Sequence, residues 1–172
     1  MNLNNYIRDI PDFPKKGIIF KDITPLLKNK DALNYIIEEF KKRIIKHKID
    51  YIIGIESRGF ILGAALAKSL NCGFVPIRKK GKLPYKVFSE TYDLEYGKDT
   101  LEIHIDALDA NNNVVLIDDV LATGGTISAS LKMLEIFKVN IIECQFLIEI
   151  QALKGYEKIV SLNRKYYSLI NF

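Results

Sequence analysis

A chain of 172 residues, 48% hydrophobic and 27% charged, has the size and composition of one globular domain with a real core. Its net charge of +4, from 25 Lys and Arg against 21 Asp and Glu, is too small an excess to make nucleic acid the main partner, though it suits small anionic substrates. The first residues lack a basic-then-apolar signal pattern and no apolar run approaches membrane length, so no membrane association is expected.

Residues 1–30 are irregular, punctuated by Pro11, Pro14, Gly17 and Pro25, and such a stretch lies over a core rather than in it. Asp31 is placed to cap a helix running to about Lys46. In that helix Leu33, Ile36, Ile37, Phe40 and Ile44 recur at helical spacing, opposite Glu38, Glu39, Lys41 and Lys42. Residues 51–55 read as a short buried strand. Residues 59–70 read as a helix whose Gly63, Ala64, Ala65 and Ala67 allow close packing on a sheet, and residues 74–77 as the next strand. Residues 80–105 read as a long loop leading into a hairpin. Gly81, Pro84 and Gly97 interrupt a polar segment holding Tyr85, Phe88, Tyr92 and Tyr96, after which Leu101, Ile103 and Ile105 alternate with Glu102, His104 and Asp106, as in a half-exposed strand.

Residues 114–117 have the unbroken apolar character of a strand buried on both faces. An amphipathic helix follows over 127–137, then a strand over 141–150, a turn near Gly155 and a last strand near 166–170. Tyr166 and Tyr167 in that strand fit either a core or an interface. The alternation of strands and helices predicts an α/β fold with a mainly parallel central sheet flanked by helices on both faces. Ligands in such sheets bind at the carboxyl ends of strands, so the loops after Ile55, Ile77 and Asp119 should converge. No repeat or linker splits the chain, so residues 1–172 are read as one domain. Cys72 and Cys144, with no CxxC, read as reduced thiols of a cytoplasmic protein, and the isolated His47 and His104 do not look like metal ligands.

The chemistry concentrates in the run VVLIDDVLATGGT, residues 114–126. An apolar strand is expected to end in Asp118 and Asp119, and a loop of Ala122, Thr123, Gly124, Gly125 and Thr126 then opens a helix. The glycines let a backbone approach an anion, the helix N-terminus offers unpaired N–H groups, and the threonines add hydroxyls, which together make a phosphate cradle. The carboxylates are acceptors only, so they suit sugar hydroxyls or Mg²⁺. A phosphate loop beside hydroxyl-binding acids describes a site for a ribose 5-phosphate. No Gly-Lys-Ser/Thr follows the glycines and no G-x-G-x-x-G spacing is present, which excludes a Walker loop and a dinucleotide fingerprint.

Two further loops are suited to anions. Glu56, Ser57 and Arg58 join a buried strand to a helix start, where a cation is disfavoured by the helix dipole unless an anion is near. Arg78, Lys79, Lys80 and Lys82 surround Gly81 at a strand end, a run that suits pyrophosphate and has a solvated basic turn as its rival reading.

The run at 114–126 resembles the phosphoribosyl-pyrophosphate (PRPP) signature of type I phosphoribosyltransferases. PDFPKKGIIFKDITPLLK at 11–28, GIESRGFILG at 54–63, IRKKGKLP at 77–84 and LEYGKDTLEI at 94–103 resemble the adenine phosphoribosyltransferase family, in order and over nearly the whole chain. That resemblance implies a small N-terminal hood over 1–30 and a flexible lid over 80–105. It implies that Asp118 and Asp119 hold the ribose hydroxyls and residues 122–126 the 5-phosphate. Glu56, Ser57 and Arg58 would form the pyrophosphate loop, and Arg78 and Lys82 would reach pyrophosphate, in the neighbouring subunit's site if the chain is a homodimer as family members typically are. Arg58, Glu95 and Tyr96 would be catalytic, with Glu95 the acid/base near the purine. Adenine would lie against Ile19, Phe20, Lys21 and Ile150. Lys21 stands where many relatives carry Arg, which matters little if the base is read by backbone groups.

The implied reaction is adenine plus PRPP giving AMP and pyrophosphate, with Mg²⁺ held through PRPP and Asp118 or Asp119 as its possible protein ligands. The alternatives are a phosphoribosyltransferase for another purine base and a non-catalytic PRPP-binding regulator.

Overall fold

Val114, Val115, Leu116 and Ile117 are all fully buried, because their strand has helices on both sides. The computed structural model describes residues 1–93 and 97–172. In it the strand β7 (Asn113–Leu121) lies in a seven-stranded sheet with β3 (Tyr51–Ile55), β4 (Gly73–Lys79), β5 (Val87–Asp93), β6 (Lys98–His104), β8 (Asn140–Glu149) and β9 (Tyr166–Asn171), in the order β5-β6-β4-β3-β7-β8-β9. β4, β3, β7, β8 and β9 are mutually parallel, and the β5–β6 hairpin joins antiparallel at the β4 edge. The expected mainly parallel sheet is present, with this hairpin as its antiparallel margin.

Side chains alternate across β7. Val114 and Leu116 join Ile53, Ile55 and the inner face of α4 (Gly125–Phe137), while Val115 and Ile117 join Ile52, α2 (Lys30–Ile44) and α3 (Arg58–Leu70). Neighbouring strands β3 and β7 thus send their following helices, α3 and α4, to opposite faces. That divergence opens a crevice at the carboxyl end of the sheet, where α/β folds bind ligands.

Several boundaries differ from the sequence reading. The cap of α2 is Asn29, whose side chain accepts from the Asp31 and Ala32 N–H groups, so Asp31 falls in the first turn, where its charge favours the helix dipole. β7 runs on through Val120 to Leu121, so Asp118 and Asp119 lie within the strand and not at its end. Residues 1–30 are more ordered than expected: β1 (Arg8–Pro11) and β2 (Ile19–Asp22) form a separate antiparallel ribbon, followed by the short helix α1 (Thr24–Lys28). The long loop shrinks to residues 80–86, because β5 and β6 pair from Val87 opposite His104 to Asp93 opposite Lys98. Glu102 is buried rather than solvated, its carboxylate accepting from the Gly81 N–H at 2.8 Å. Tyr166 and Tyr167 pack at the margins of the two cores, Tyr166 stacked on Tyr156 of α5 (Tyr156–Ser161) and Tyr167 edge-on to Phe40.

Candidate active site

The carboxyl ends of β3, β4 and β7 and the β1–β2 ribbon enclose a cleft of about 1070 Å³. Ile19, Phe20, Lys21, Glu56, Ser57, Arg58, Lys82, Asp118, Asp119, Ala122, Thr126 and Ile150, twelve residues singled out in the sequence, line it together. Thr123, Gly124 and Gly125 line an adjoining recess of about 50 Å³ with Ala122 and Thr126. Arg78 lines neither. Its guanidinium donates to the Lys82 carbonyl at 3.0 Å and lies 3.4 Å from the Glu56 carboxylate, so in this chain it braces the basic turn instead of facing the cleft. Glu95 and Tyr96 lie outside the described residues.

The recess owes its shape to a close approach of two loops. Gly124 has φ +76° and caps α4 with no side-chain oxygen, leaving the first N–H groups of the helix to whatever enters. A Cβ on Gly124 would strike the Gly155 carbonyl, and one on Gly155 would strike the Ala122 carbonyl, so both positions demand glycine. From the hairpin, Tyr92 covers this loop. Its ring lies against Gly125, and its phenol oxygen accepts from the Thr126 hydroxyl at 3.3 Å. Burial pushes the Tyr92 phenol above its ordinary pKa, so it stays neutral at physiological pH.

Asp118 and Asp119 point to opposite sides of β7. Asp118 Oδ1 accepts from the Asp119 N–H at 2.9 Å. Burial and the neighbouring Asp119 charge push the Asp118 carboxyl well above the usual carboxylate range. Burial also raises Asp119, against the pull of Arg58, whose Nε lies 2.6 Å from Asp119 Oδ2. That contact is an ion pair outside hydrogen-bond geometry, which leaves Asp119 Oδ2 without a hydrogen-bond donor. It also accounts for a cation at the first residue of α3: Asp119 is the anion that offsets the helix dipole there. The same guanidinium lies over the Phe20 ring at 4.7 Å, linking the ribbon to the sheet.

Glu56 and Ser57 are joined by a cis peptide bond. The Glu56 carboxylate accepts from the Lys79 N–H at 2.8 Å, which ties the β3 loop to the β4 loop. Ser57 does not cap α3 with its hydroxyl, so this group is free to meet a ligand.

Lys79, from the basic run read as suited to pyrophosphate, also lines the cleft, as do Tyr92, Asp99, Leu153 and Phe172, none of which was selected from the sequence as a site residue. Lys79 pairs with Asp99 at 3.1 Å, and that hydrogen bond raises the pKa of its ammonium group. Lys79 belongs to the basic run it shares with Arg78, and of the two it is Lys79 that faces the cleft. The others reach the cleft only because strands distant in sequence end beside it.

Among the described residues no group of three or more His, Cys, Asp and Glu side chains could hold a metal ion. The two carboxylates fit a Mg²⁺ bound mostly by substrate oxygens and water, which is how that ion commonly sits beside phosphates. No helix among the described residues is long and apolar enough to cross a membrane.

The family described as phosphoribosyl transferase domain matches residues 22–168 of this chain. The adenine phosphoribosyltransferase of Brachyspira hyodysenteriae is 55% identical over 159 residues, 92% of this chain and 94% of its own length. The crystal structure of adenine phosphoribosyltransferase from Thermoanaerobacter pseudethanolicus superposes with a TM-score of 0.94 at 50% identity, covering 99% of this chain and 98% of its own. That of Saccharomyces cerevisiae, complexed with adenine and D-2,5-dideoxy-2,5-imino-altritol 1,6-bisphosphate, has a TM-score of 0.91 at 40% identity, covering 97% and 96%.

Proposed function

The chain belongs to the phosphoribosyltransferase family, and from that premise we propose that it is an adenine phosphoribosyltransferase, converting adenine and PRPP to AMP and pyrophosphate in adenine salvage. One observation carries the assignment: a cleft and its adjoining recess bring together an uncapped helix N-terminus, a carboxylate pair and a strand edge left unpaired among the described residues.

In this reading the 5-phosphate sits on residues 122–126, where helix N–H groups and two threonine hydroxyls donate to it. Asp118 and Asp119 accept from the ribose hydroxyls. Ser57, the Arg58 guanidinium and Lys82 face the pyrophosphate, with Glu56 holding their loop by its bond to Lys79. Asp118 and Asp119 are the residues that would hold Mg²⁺ together with substrate oxygens, and the ion would supply positive charge beside the pyrophosphate. As the bond from C1 to pyrophosphate loosens, Arg58 and Lys82 stabilise the leaving group while Asp118 and Asp119 face the oxocarbenium-like ribosyl centre. Adenine N9 attacks from the opposite face. Glu95 would take up the purine proton, with Tyr96 and Arg58 the other catalytic residues, as the resemblance implies. Closure of the segment around the hairpin would exclude water and suppress hydrolysis of PRPP.

Adenine would lie between Phe20 and Ile150. Among the described residues β2 has β1 on one side and no strand on the other, so alternate N–H and C=O groups of Ile19, Phe20 and Lys21 are open to a base edge. An N–H facing N1 and a C=O facing the 6-amino group suit adenine and mismatch hypoxanthine and guanine at both contacts.

Residues 1–30 then act as the hood and 80–105 as the lid of a single domain. The exposed Ile61 on α3 and Tyr85 before β5 support a homodimer, because a partner copy would cover them. In it Lys82, with Arg78 bracing its turn, would serve the partner's site or its own. The free thiols Cys72 and Cys144 support a cytoplasmic location.

Incubation with PRPP, Mg²⁺ and each of adenine, hypoxanthine, guanine and xanthine tests the assignment. AMP from adenine alone is expected. Another nucleotide would overturn the base assignment, and PRPP binding without any product would replace the enzyme with a regulator.

A further inference from the structure

Ile19, Leu153 and Phe172 are large apolar side chains left 59%, 42% and 38% exposed, and all three line the base-facing end of the cleft. Exposed apolar surface gathered at a cleft mouth marks a contact surface rather than chance. Phe172 differs from the other two in how it is held. Its N–H donates to the Glu149 carbonyl at 2.9 Å and its carbonyl accepts from the Gln151 N–H at 2.8 Å. Its backbone is therefore fastened on both sides of Ile150, which lines the same cleft.

Across the cleft stands Lys21. Its ammonium meets both oxygens of Asp9, at 2.8 and 3.0 Å, and lies 3.9 Å from the centroid of the Phe172 ring. A cation over an aromatic face is attracted by the ring quadrupole, and more strongly where water is scarce. The Lys21 side chain is 14% exposed, so water is largely kept from the cation's side of this contact. Asp9 and Lys21 are also directly opposite one another in the β1–β2 ribbon. The ribbon, which is a separate sheet, is thereby tied to the end of β8 and β9 through one ammonium and one ring.

We propose that Phe172 is a positioning residue for the purine base. Its ring holds Lys21, and through it the strand β2, in place beside Ile150 in the cleft that receives the base. Lys21 places its backbone beside the base, while its side chain sets the width of the slot. This rests on the adenine assignment above for the identity of the base, though not for the existence of the latch.

The test compares wild type with Phe172→Ala, Phe172→Leu and Phe172→Tyr, measuring KM for adenine and for PRPP separately, kcat at saturation, and PRPP affinity by calorimetry. Phe172→Ala is expected to raise the adenine KM about tenfold, the scale of losing one wall contact in an apolar pocket, with PRPP affinity unchanged. Phe172→Leu keeps apolar bulk without a ring face and should resemble Ala, whereas Phe172→Tyr keeps the face and should restore the wild-type value. An unchanged adenine KM in Phe172→Ala, or full rescue by Leu, overturns the latch. So does an equal rise for both substrates, which would report general damage to the fold. If wild type makes its nucleotide from another base, the adenine assignment fails alone, and the same KM comparison on that base still decides the role of Phe172.

Discussion

The anion-facing end of the cleft is cut from the middle of the sheet, whereas the base-facing end is laid over it by a two-stranded ribbon. At the first end Asp118 and Asp119 sit within β7, directly after four fully buried residues, and their surroundings keep both carboxyls above the usual range. At the second end Ile19 and Phe172 stay exposed, and the ribbon is held by Asp9, Lys21, the Phe172 ring and the Arg58–Phe20 contact. Charge buried in a rigid frame opposes stability, but it is oriented before substrate arrives, which suits the part of the reaction where charge moves. Apolar side chains on a ribbon can be exchanged without disturbing that frame, which suits the choice of base.

The largest expected effect breaks the first end. Asp118→Asn with Asp119→Asn should weaken PRPP binding about 100-fold, the scale of two lost bonds to charged acceptors, while the ribbon and the contacts proposed for adenine there stay intact. Calorimetric titration with PRPP reads this directly, and unchanged affinity would move the ribose site elsewhere. Asp118→Asn alone keeps Oδ1 for the Asp119 N–H and leaves the Arg58 pair whole. The folded chain holds the Asp118 proton to higher pH than the unfolded chain does, so charging it costs stability as pH rises from the ordinary carboxylate range through the raised one. The single variant should therefore melt above wild type at pH 7.5 and closer to it in acid. A lower melting temperature at pH 7.5 would mean that the carboxylate supports the fold instead of opposing it.

The same displacement predicts a pH limb in catalysis. If PRPP needs the ionised pair, kcat/KM for PRPP should fall by about tenfold per unit below the raised carboxyl range, at higher pH than ordinary carboxylates near 4 would give. Because PRPP titrates as well, the informative quantity is the difference between wild type and Asp118→Asn. Identical profiles would remove the pair from the limb.

The two ends also differed in how much of them was legible in the sequence. Val114 to Thr126 could be read because a strand buried on both faces must be uniformly apolar, and because only glycine tolerates the approach of the 122–124 and 155 loops. That β7 would continue to Leu121 could not be read, since Val120 and Leu121 fit a strand end and a loop equally well. The ribbon was hidden because strands of four residues in a stretch punctuated by prolines carry too little periodicity. The alternating pattern at 101–105 assigned Glu102 to solvent, since nothing local shows that the Gly81 N–H waits beneath it. Phe172 and Tyr92 were invisible for a related reason: their partners, Lys21 and Thr126, are distant in sequence and meet them only through the sheet order. Arg78 had the right charge in the right loop, but Glu56 and the Lys82 carbonyl claim its guanidinium.

The smallest expected effect separates positioning from contact at the anion end. Glu102 lines no part of the cleft, yet it is buried and its carboxylate accepts from Gly81, inside the turn that presents Lys82. Glu102→Ala frees that N–H and lets the turn drift. Only part of one charge-assisted hydrogen bond is then lost to the ligand, so the KM for PRPP should rise about threefold to tenfold. Glu102→Gln keeps an acceptor oxygen at the same reach and should recover most of the loss, whereas a purely electrostatic role for the carboxylate would leave Gln as impaired as Ala. In both variants the adenine KM should hold at the wild-type value, because the ribbon is held through Asp9, Lys21, the Phe172 ring and the Arg58–Phe20 contact. A matching rise for adenine would mean that the two ends of the cleft share one frame after all.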